Sequence, residues 1–425
     1  MSGEGTAIHV SGERRLMKHS STGSRNAYAG ILLLGIVSLM GDVVYEGSRG
    51  LVPDYLRFLG ATAIIVGFVG GLGEFIGYAV RLVSGFLADA THTYWLFIFI
   101  GYGLIASIPV LGVAATWKIA VLLILLERLG KALRSPSRDT LLSIISRGVG
   151  AGKAFGIHEF LDQTGAVAGP LIVAALMYYT SNSYRETFAL LSIPFLIMLI
   201  ALTYTHGRIG SKTAIESKEG DGEKGRPKLP GKPFYVYVLA VTLNTVGLIP
   251  AALILYRASV ILQPGKQQWM VPLIYLLIQG VDAPAALLSG YAYDRFGVKF
   301  LALPFMLSMP SSFLALAGMG LPSLIVASIL FGVVLGMQES IYRAAVSEYT
   351  PISSRATAYG IFNTAYGIGF LVSGLIYGLL VDLAASPAAA LPFIISTQTS
   401  ALAALLRTHG KQGEARRVAE AKQLS

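Results

Sequence analysis

No cysteine occurs in the chain, which excludes a disulfide framework, a thiol nucleophile, a cysteine-ligated zinc site and thiolate-held iron–sulfur clusters. Charge is also scarce. Only 13% of the 425 residues are Asp, Glu, Lys or Arg while 54% are hydrophobic, far more apolar than a soluble domain of this length tolerates. The histidines, His9, His19, His92, His158, His206 and His409, are scattered. The paired histidines of a zinc hydrolase are therefore missing, and no nucleophile and base converge for covalent catalysis. A Gly-x-x-x-x-Gly-Lys-[Ser/Thr] phosphate loop is absent too, so ATP-driven machinery would have to come from another subunit. No soluble stretch is long enough for a sensory domain. Neither an enzyme nor a receptor is expected, and no cofactor or metal. The formal net charge of +10 is not gathered on one soluble domain, which argues against nucleic acid as a partner.

What the chain has in quantity is apolar runs of roughly 17 to 25 residues, the length that crosses a bilayer as a helix. Twelve are expected: 28–51, 64–87, 94–113, 119–142, 154–179 and 187–204, then 234–255, 269–291, 300–317, 323–341, 358–381 and 391–405. Backbone amides cannot stay unpaired in hydrocarbon and no run alternates like a barrel strand, so the class is an all-α membrane protein of two pseudo-symmetric six-helix bundles. The expected organisation is a cytoplasmic tail at 1–26, a first bundle at 27–206, a polar linker at 207–232, a second bundle at 233–407 and a tail at 408–425. The first tail lacks the apolar core and cleavage site of a secretory signal. The linker is too poor in large apolar residues to order itself.

Counting basic residues sets the expected orientation. With both termini cytoplasmic, 24 of the 33 Lys and Arg fall in tails, cytoplasmic connections or helix ends. Arg57, Lys118, Arg185, Arg257 and Lys266 fall outside, and Arg49, Arg81, Arg128 and Lys131 within the spans. That asymmetry follows the positive-inside rule and suits a multi-pass protein of the cell membrane. The halves also echo each other. Ser84-Gly85-Phe86-Leu87-Ala88-Asp89 returns 205 positions later as Ser289-Gly290-Tyr291-Ala292-Tyr293-Asp294. Gly169-Pro170-Leu171-Ile172 returns after 204 as Ser373-Gly374-Leu375-Ile376. A nearly constant offset marks a parallel duplication.

Gly290-x-x-x-Asp294-Arg295-x-Gly297-x-Lys299 resembles the signature between helices eight and nine of the major facilitator superfamily. The matching connection in the first half keeps Gly85 and Asp89 but has Ala90, Thr91 and His92 where the family has basic residues and glycine. Glu127-Arg128-Leu129-Gly130-Lys131-Ala132, with Arg134, Pro136, Arg138 and Asp139, is similar to the fourth helix of a prokaryotic, exporter-like branch, and Gly165-x-x-x-Gly169-Pro170 resembles the fifth-helix motif of proton-coupled antiporters. By this resemblance Asp89 meets Arg138 and Asp294 meets Arg343, latching an outward-open state, with Arg295 beside the second latch.

Charges inside the spans are the other informative feature, since an ionisable group near the bilayer centre is costly unless paired, neutralised or hydrated. Asp42, Glu46 and Arg49 share one face of the first span, and Glu74, Tyr78 and Arg81 repeat that spacing in the second. Glu127, Lys131, Arg134 and Arg138 form a stripe on the fourth with Arg128 beside it, and His158, Glu159 and Asp162 cluster on the fifth. These stripes are expected to converge on one polar cavity, to which the second half adds fewer polar groups, Asn244, Gln279, Asp282, Gln338, Glu339, Arg343 and Asn363, and a more apolar wall with Trp269, Tyr275, Tyr342, Tyr359 and Tyr366. The bland alternative is a set of internal ion pairs that only holds the half-bundle together. Carboxylates in such a cavity bind protons more readily than in water, and release them when a cation approaches. The expected function is therefore proton-coupled efflux of a small amphipathic or cationic solute by alternating access, carried out by a monomer in the bilayer. The second expectation is proton-coupled uptake or exchange of an organic anion on the basic stripe.

Overall fold

In the computed structural model, which describes residues 5–146, 149–216, 230–317, 319–350, 355–383 and 387–423, every expected span is helical and no strand occurs among the described residues. The first half comprises α1 (Gly5–Phe58), α2 (Ala63–Thr91), α3 (Tyr94–Val113), α4 (Trp117–Ile145), α5 (Ala151–Tyr179) and α6 (Tyr184–Leu190 continued as Ser192–Glu216). The second comprises α7 (Lys232–Val246, then Ala251–Leu262), α8 (Val271–Phe296), α9 (Ala302–Leu316), α10 (Leu321–Met337 through a π-helical turn, Gln338–Tyr342, to Arg343–Tyr349), α11 (Arg355–Asp382) and α12 (Pro387–Gln423).

Length and apolarity alone identify ten spans. One of these, Gln268–Leu316, doubles back at Gly297 and holds both α8 and α9. α4 falls outside the ten because Glu127, Arg128, Lys131, Arg134, Arg138 and Asp139 interrupt its apolar pattern. Counting both gives twelve crossings. Helix also runs through residues 5–26 and 409–423, and α6 continues into the stretch expected to be linker. The rest of that linker, 217–229, lies outside the described residues, as do 1–4 and 424–425.

Local signals set the helix ends. Thr116 and Ser183 accept from the amides of Ile119 and Glu186 at the starts of α4 and α6, and proline occupies the first turn of α7, α8 and α10. The break of α7 before Pro250 frees backbone groups that hydrocarbon would punish. Neighbouring helices satisfy them: Ser312 Oγ accepts from Ile249 N at 2.9 Å, Tyr377 donates to Gly247 O at 2.6 Å, and Ser373 donates to Leu248 O at 2.5 Å.

The packing repeats between halves. α1 lies against α5 and α6, α2 against α4, and α3 against α4; α7 lies likewise against α11 and α12, α8 against α10, and α9 against α10. The halves meet through α2 with α11 and through α5 with α8, which are equivalent pairs under the duplication. Along α2 and α11 the backbones nearly touch. A Cβ at Gly67 would collide with the Gly374 carbonyl, and one at Gly71 would stand only 2.7 Å from Leu371 Cα. Within the first half, Gly165 and Gly169 seat α5 against α1, where a Cβ on Gly169 would come within 2.9 Å of Val43 O.

The end of the bundle away from the termini is tied shut across the halves. Asp382 accepts from the amides of Ala63 (2.7 Å) and Ile64 (2.9 Å), closing α11 onto the start of α2. Asn182 donates to Lys266 O and accepts from Trp269 N, both at 3.0 Å. Arg57 donates to Ser259 and, at 2.6 Å, to Gln263. Its own half-bundle anchors Arg57 through Asp54, which also accepts from Tyr184 at 2.7 Å.

Candidate functional site

Between the halves lies a chamber of about 240 Å³. It continues toward the end bearing the termini into a vestibule of about 460 Å³, which shares Glu159, Gln163, Asp282 and Glu339 with it and reaches Asp294. Helical spacing explains the first-half wall. Asp42, Glu46 and Arg49 project from one face of α1, and the i, i+4 stripe Glu127–Lys131 from α4, so the acids and bases of two helices face each other.

Glu46 is the hub. It is 4% exposed, receives Arg49 Nη1 at 3.0 Å and Lys131 Nζ at 3.2 Å, and accepts from Tyr275 OH at 2.6 Å. The Tyr275 bond crosses from the second half, so this carboxylate reports on both lobes. Arg49 reaches on to Glu74 at 3.1 Å, and Arg128 spans Glu74 at 3.5 Å and Glu127 at 3.7 Å. Arg138 pairs with Asp139 at 3.0 Å and Asp162 at 3.4 Å, and donates to Ser38 at 2.9 Å. Arg134 lies 5.0 Å from the rings of both Tyr45 and Tyr102 and donates to Gly101 O. Each base of the α4 stripe thus already has a partner.

Of the residues singled out from sequence, Asp42, Glu46, Arg49, Glu74, Glu127, Arg128, Glu159, Asp162 and Glu339 all line the chamber. Arg81 does not. It sits beyond the wall with its guanidinium 6.0 Å from the Tyr78 ring. His158 is buried but is not part of the wall. The expected latches are parted: Asp89 accepts from Tyr94 at 3.0 Å, and among the described residues no ion pair joins Asp89 to Arg138 or Asp294 to Arg343. Arg295 lies against the Phe296 ring at 5.5 Å, and Arg343 is exposed.

Of the aromatic residues expected from the second half, Tyr275 lines the chamber, where Phe331 and Phe370 join it. Tyr342 and Tyr366 instead serve a buried amide network, in which Tyr342 and Gln338 donate to Asn244 Oδ1 at 2.8 and 3.2 Å and Tyr366 donates to Gln338 at 2.7 Å. Tyr359 donates to Arg343 O, and Trp269 packs edge-on to Tyr178 at the tied end. Asp282, one of the polar residues expected from the second half, joins the wall. It is 4% exposed and lines both chamber and vestibule.

The wall carries eight carboxylates, Asp42, Glu46, Glu74, Glu127, Glu159, Asp162, Asp282 and Glu339, against the three basic side chains Arg49, Arg128 and Lys131. The described residues contain no ion pair to Asp42, Glu159, Asp282 or Glu339. No three His, Asp or Glu among the described residues converge closely enough to hold one metal ion. A surface of this kind can hold a cation larger than a bare ion and can bind protons at several oxygens.

A family model described as Major Facilitator Superfamily matches residues 234–424. An uncharacterised protein of Mycobacterium tuberculosis is 33% identical over 362 residues, 84% of this chain and 88% of its own length. An uncharacterised MFS-type transporter of Methanocaldococcus jannaschii is 26% identical over 374 residues, covering 87% of this chain and 92% of its own. Among solved structures, the nucleoside transporter NupG superposes with a TM-score of 0.69 at 15% identity, covering 89% of this chain and 99% of its own. The peptide transporter POT superposes with a TM-score of 0.65 at 15% identity, covering 91% and 94%.

Proposed function

The chain belongs to the major facilitator superfamily and is a transporter rather than an enzyme, and from that premise we propose that it exchanges protons for a small cationic or amphipathic solute by alternating access. The orientation that places the termini in the cytoplasm makes the open vestibule the cytoplasmic one, so the solute enters from inside and leaves outward. Basic residues crowd the same end, which supports that orientation.

The observation that carries the reading is the imbalance of the chamber wall, eight carboxylates to three bases, with each of those bases already paired to a carboxylate. An organic anion entering the chamber would have to strip Arg49, Arg128 or Lys131 of its partner, whereas a cation meets acids that lack one. Glu46 and Asp42 are the proposed proton-bearing groups, with Glu74 and Glu159 flanking and Arg49 and Arg128 adjusting their charge. A proton on Glu46 would weaken its hold on Arg49 and Lys131 and turn its bond from Tyr275 into one between neutral groups, so that protonation at one oxygen pair loosens a contact between the lobes.

Reconstitution into proteoliposomes with an imposed pH gradient tests this. Tetraphenylphosphonium should move against the proton flux, and Glu46→Gln should cut the coupled flux by about a hundredfold, the scale of removing one charge from a buried pair. Gradient-driven movement of benzoate without tetraphenylphosphonium would reverse the reading in favour of organic-anion transport. Full coupling in Glu46→Gln would remove that carboxylate from the proton path.

A further inference from the structure

The proton-bearing groups proposed above, Glu46 and Asp42, belong to α1. A second cluster lies lower, where the chamber opens into the vestibule between α5, α8 and α10. Asp282 of α8 is 4% exposed, its Oδ1 has no hydrogen-bond partner, and it forms part of the wall of both cavities. A buried carboxylate oxygen left without a donor is expensive in the absence of something to bind it. Across from it stand Glu159 and Gln163 of α5, the latter with its Nε2 also unpartnered, and one turn of π-helix aims Glu339 of α10 at the same space. The groups come from both halves, and the nearest bases of the wall are held by Glu46, Glu74 and Glu127.

We infer that Asp282 is the buried anchor of a subsite for the amine of an organic cation, completed by Glu159 and Glu339 at the vestibule mouth. The three carboxylates are spread too widely to ligate one metal ion together. They suit a ligand whose N–H groups diverge, as those of a primary or secondary ammonium do, with Gln163 and the Leu287 and Ala286 side of α8 covering its carbon skeleton. This inference rests on the reading of the protein as a carrier of cations.

The test is equilibrium binding to the full-length protein in nanodiscs, with spermidine and tetraphenylphosphonium as cationic probes and benzoate as the anionic one. Asp282→Asn should weaken spermidine by tenfold or more, about the value of one charge-assisted hydrogen bond. Tetraphenylphosphonium, which has no N–H, should lose less. Glu339→Gln, at an exposed position where folding is not at stake, should weaken spermidine about threefold to tenfold. Glu186→Gln at the tied end should change nothing. Unaltered spermidine affinity in both Asp282→Asn and Glu339→Gln overturns the subsite while leaving cation transport standing. Binding of benzoate to the unmodified protein with neither cation bound overturns the reading beneath it.

Discussion

Gly297 and His92 occupy equivalent places in the two halves, 205 positions apart, yet their backbones differ. Gly297 has φ 63° and ψ −153°, a region that only glycine visits without strain, whereas His92 has φ 52° and ψ 25°, the left-handed helical well that a side chain tolerates at modest cost. The family's glycine is therefore required in the second half and dispensable in the first, which explains the departure at Ala90-Thr91-His92 in physical terms. Opposite outcomes follow. Gly297→Ala should destabilise the protein by about 1–3 kcal/mol, while His92→Gly should leave it unchanged or stabilise it by up to about 1 kcal/mol. Thermal unfolding of the two variants in detergent distinguishes them, and equal losses in both would show that the turn conformations are the same. The sequence speaks most directly at this scale. Acids and bases at i, i+4 spacing on one helix announce themselves, as Asp42, Glu46 and Arg49 do. Asp282 shows in the chain only as a lone acid inside a span; its companions Glu159 and Glu339 arrive from α5 and α10 when the halves pack, so the charge is legible in sequence and the cluster is not.

At the scale of elements, the paired helices α2 and α11 join the lobes largely through close backbone approach, with Asp382 on the α2 amides and Tyr78 against Tyr366 beside it. Gly67 lies on Gly374, Gly71 on Phe370 and Leu371, and Gly378 on Ala63 and Ile64. Gly67 and Gly71 stand at the four-residue spacing that lets helices approach closely, but that spacing states how close two helices come without naming the second. The same limit applied to the closed end, where Asp382, Asn182 and Arg57 find partners far away in the chain. Twelve spans were legible because hydrocarbon thickness fixes their length, and α4 was legible despite its charges because its apolar flanks kept the period. A side chain at Gly67 would wedge α2 from α11 and favour the arrangement in which the tied end opens. Since the natural chain has no cysteine, accessibility can be read without background. Leu255→Cys, whose position is 1% exposed on the chamber wall, should react slowly with a membrane-impermeant thiol reagent added at the tied end. Adding Gly67→Leu should raise that rate about tenfold, corresponding to a shift of about 1.4 kcal/mol between the two arrangements. An unchanged rate would mean that α2 and α11 do not separate when the chamber opens that way.

For the whole molecule, on the alternating-access reading proposed above, the position of the unpaired acids bears on how transport would be coupled. Glu159 belongs to one lobe and Asp282 and Glu339 to the other, and the vestibule between them must narrow when the lobes rock to close the end bearing the termini. Closing it empty brings like charges together. Two carboxylates forced to roughly 6 Å at an effective dielectric constant of about 20 repel by about 3 kcal/mol, enough to slow the closing of an empty, unprotonated vestibule about a hundredfold. A bound cation or protons on the acids remove that barrier, and the opposite step, which closes the tied end with Asp382 on the α2 amides, brings none of these acids together. On the proposed reading the empty carrier therefore returns slowly after delivering solute to the side the vestibule faces, and exchange outruns net flux in that direction. In proteoliposomes with the vestibule facing the lumen, uptake of labelled spermidine into an alkaline, cation-free lumen should be about a hundred times slower than uptake into a lumen preloaded with unlabelled spermidine. Lowering the lumenal pH should restore most of the rate, because protons neutralise the same acids for the return step. Replacing Glu159 and Asp282 together by their amides should abolish the difference between exchange and net uptake, since the repulsion that enforces the exchange is gone even though binding is weaker. Net uptake as fast as exchange in the unmodified protein would show that the lobes close without regard to the charge between them.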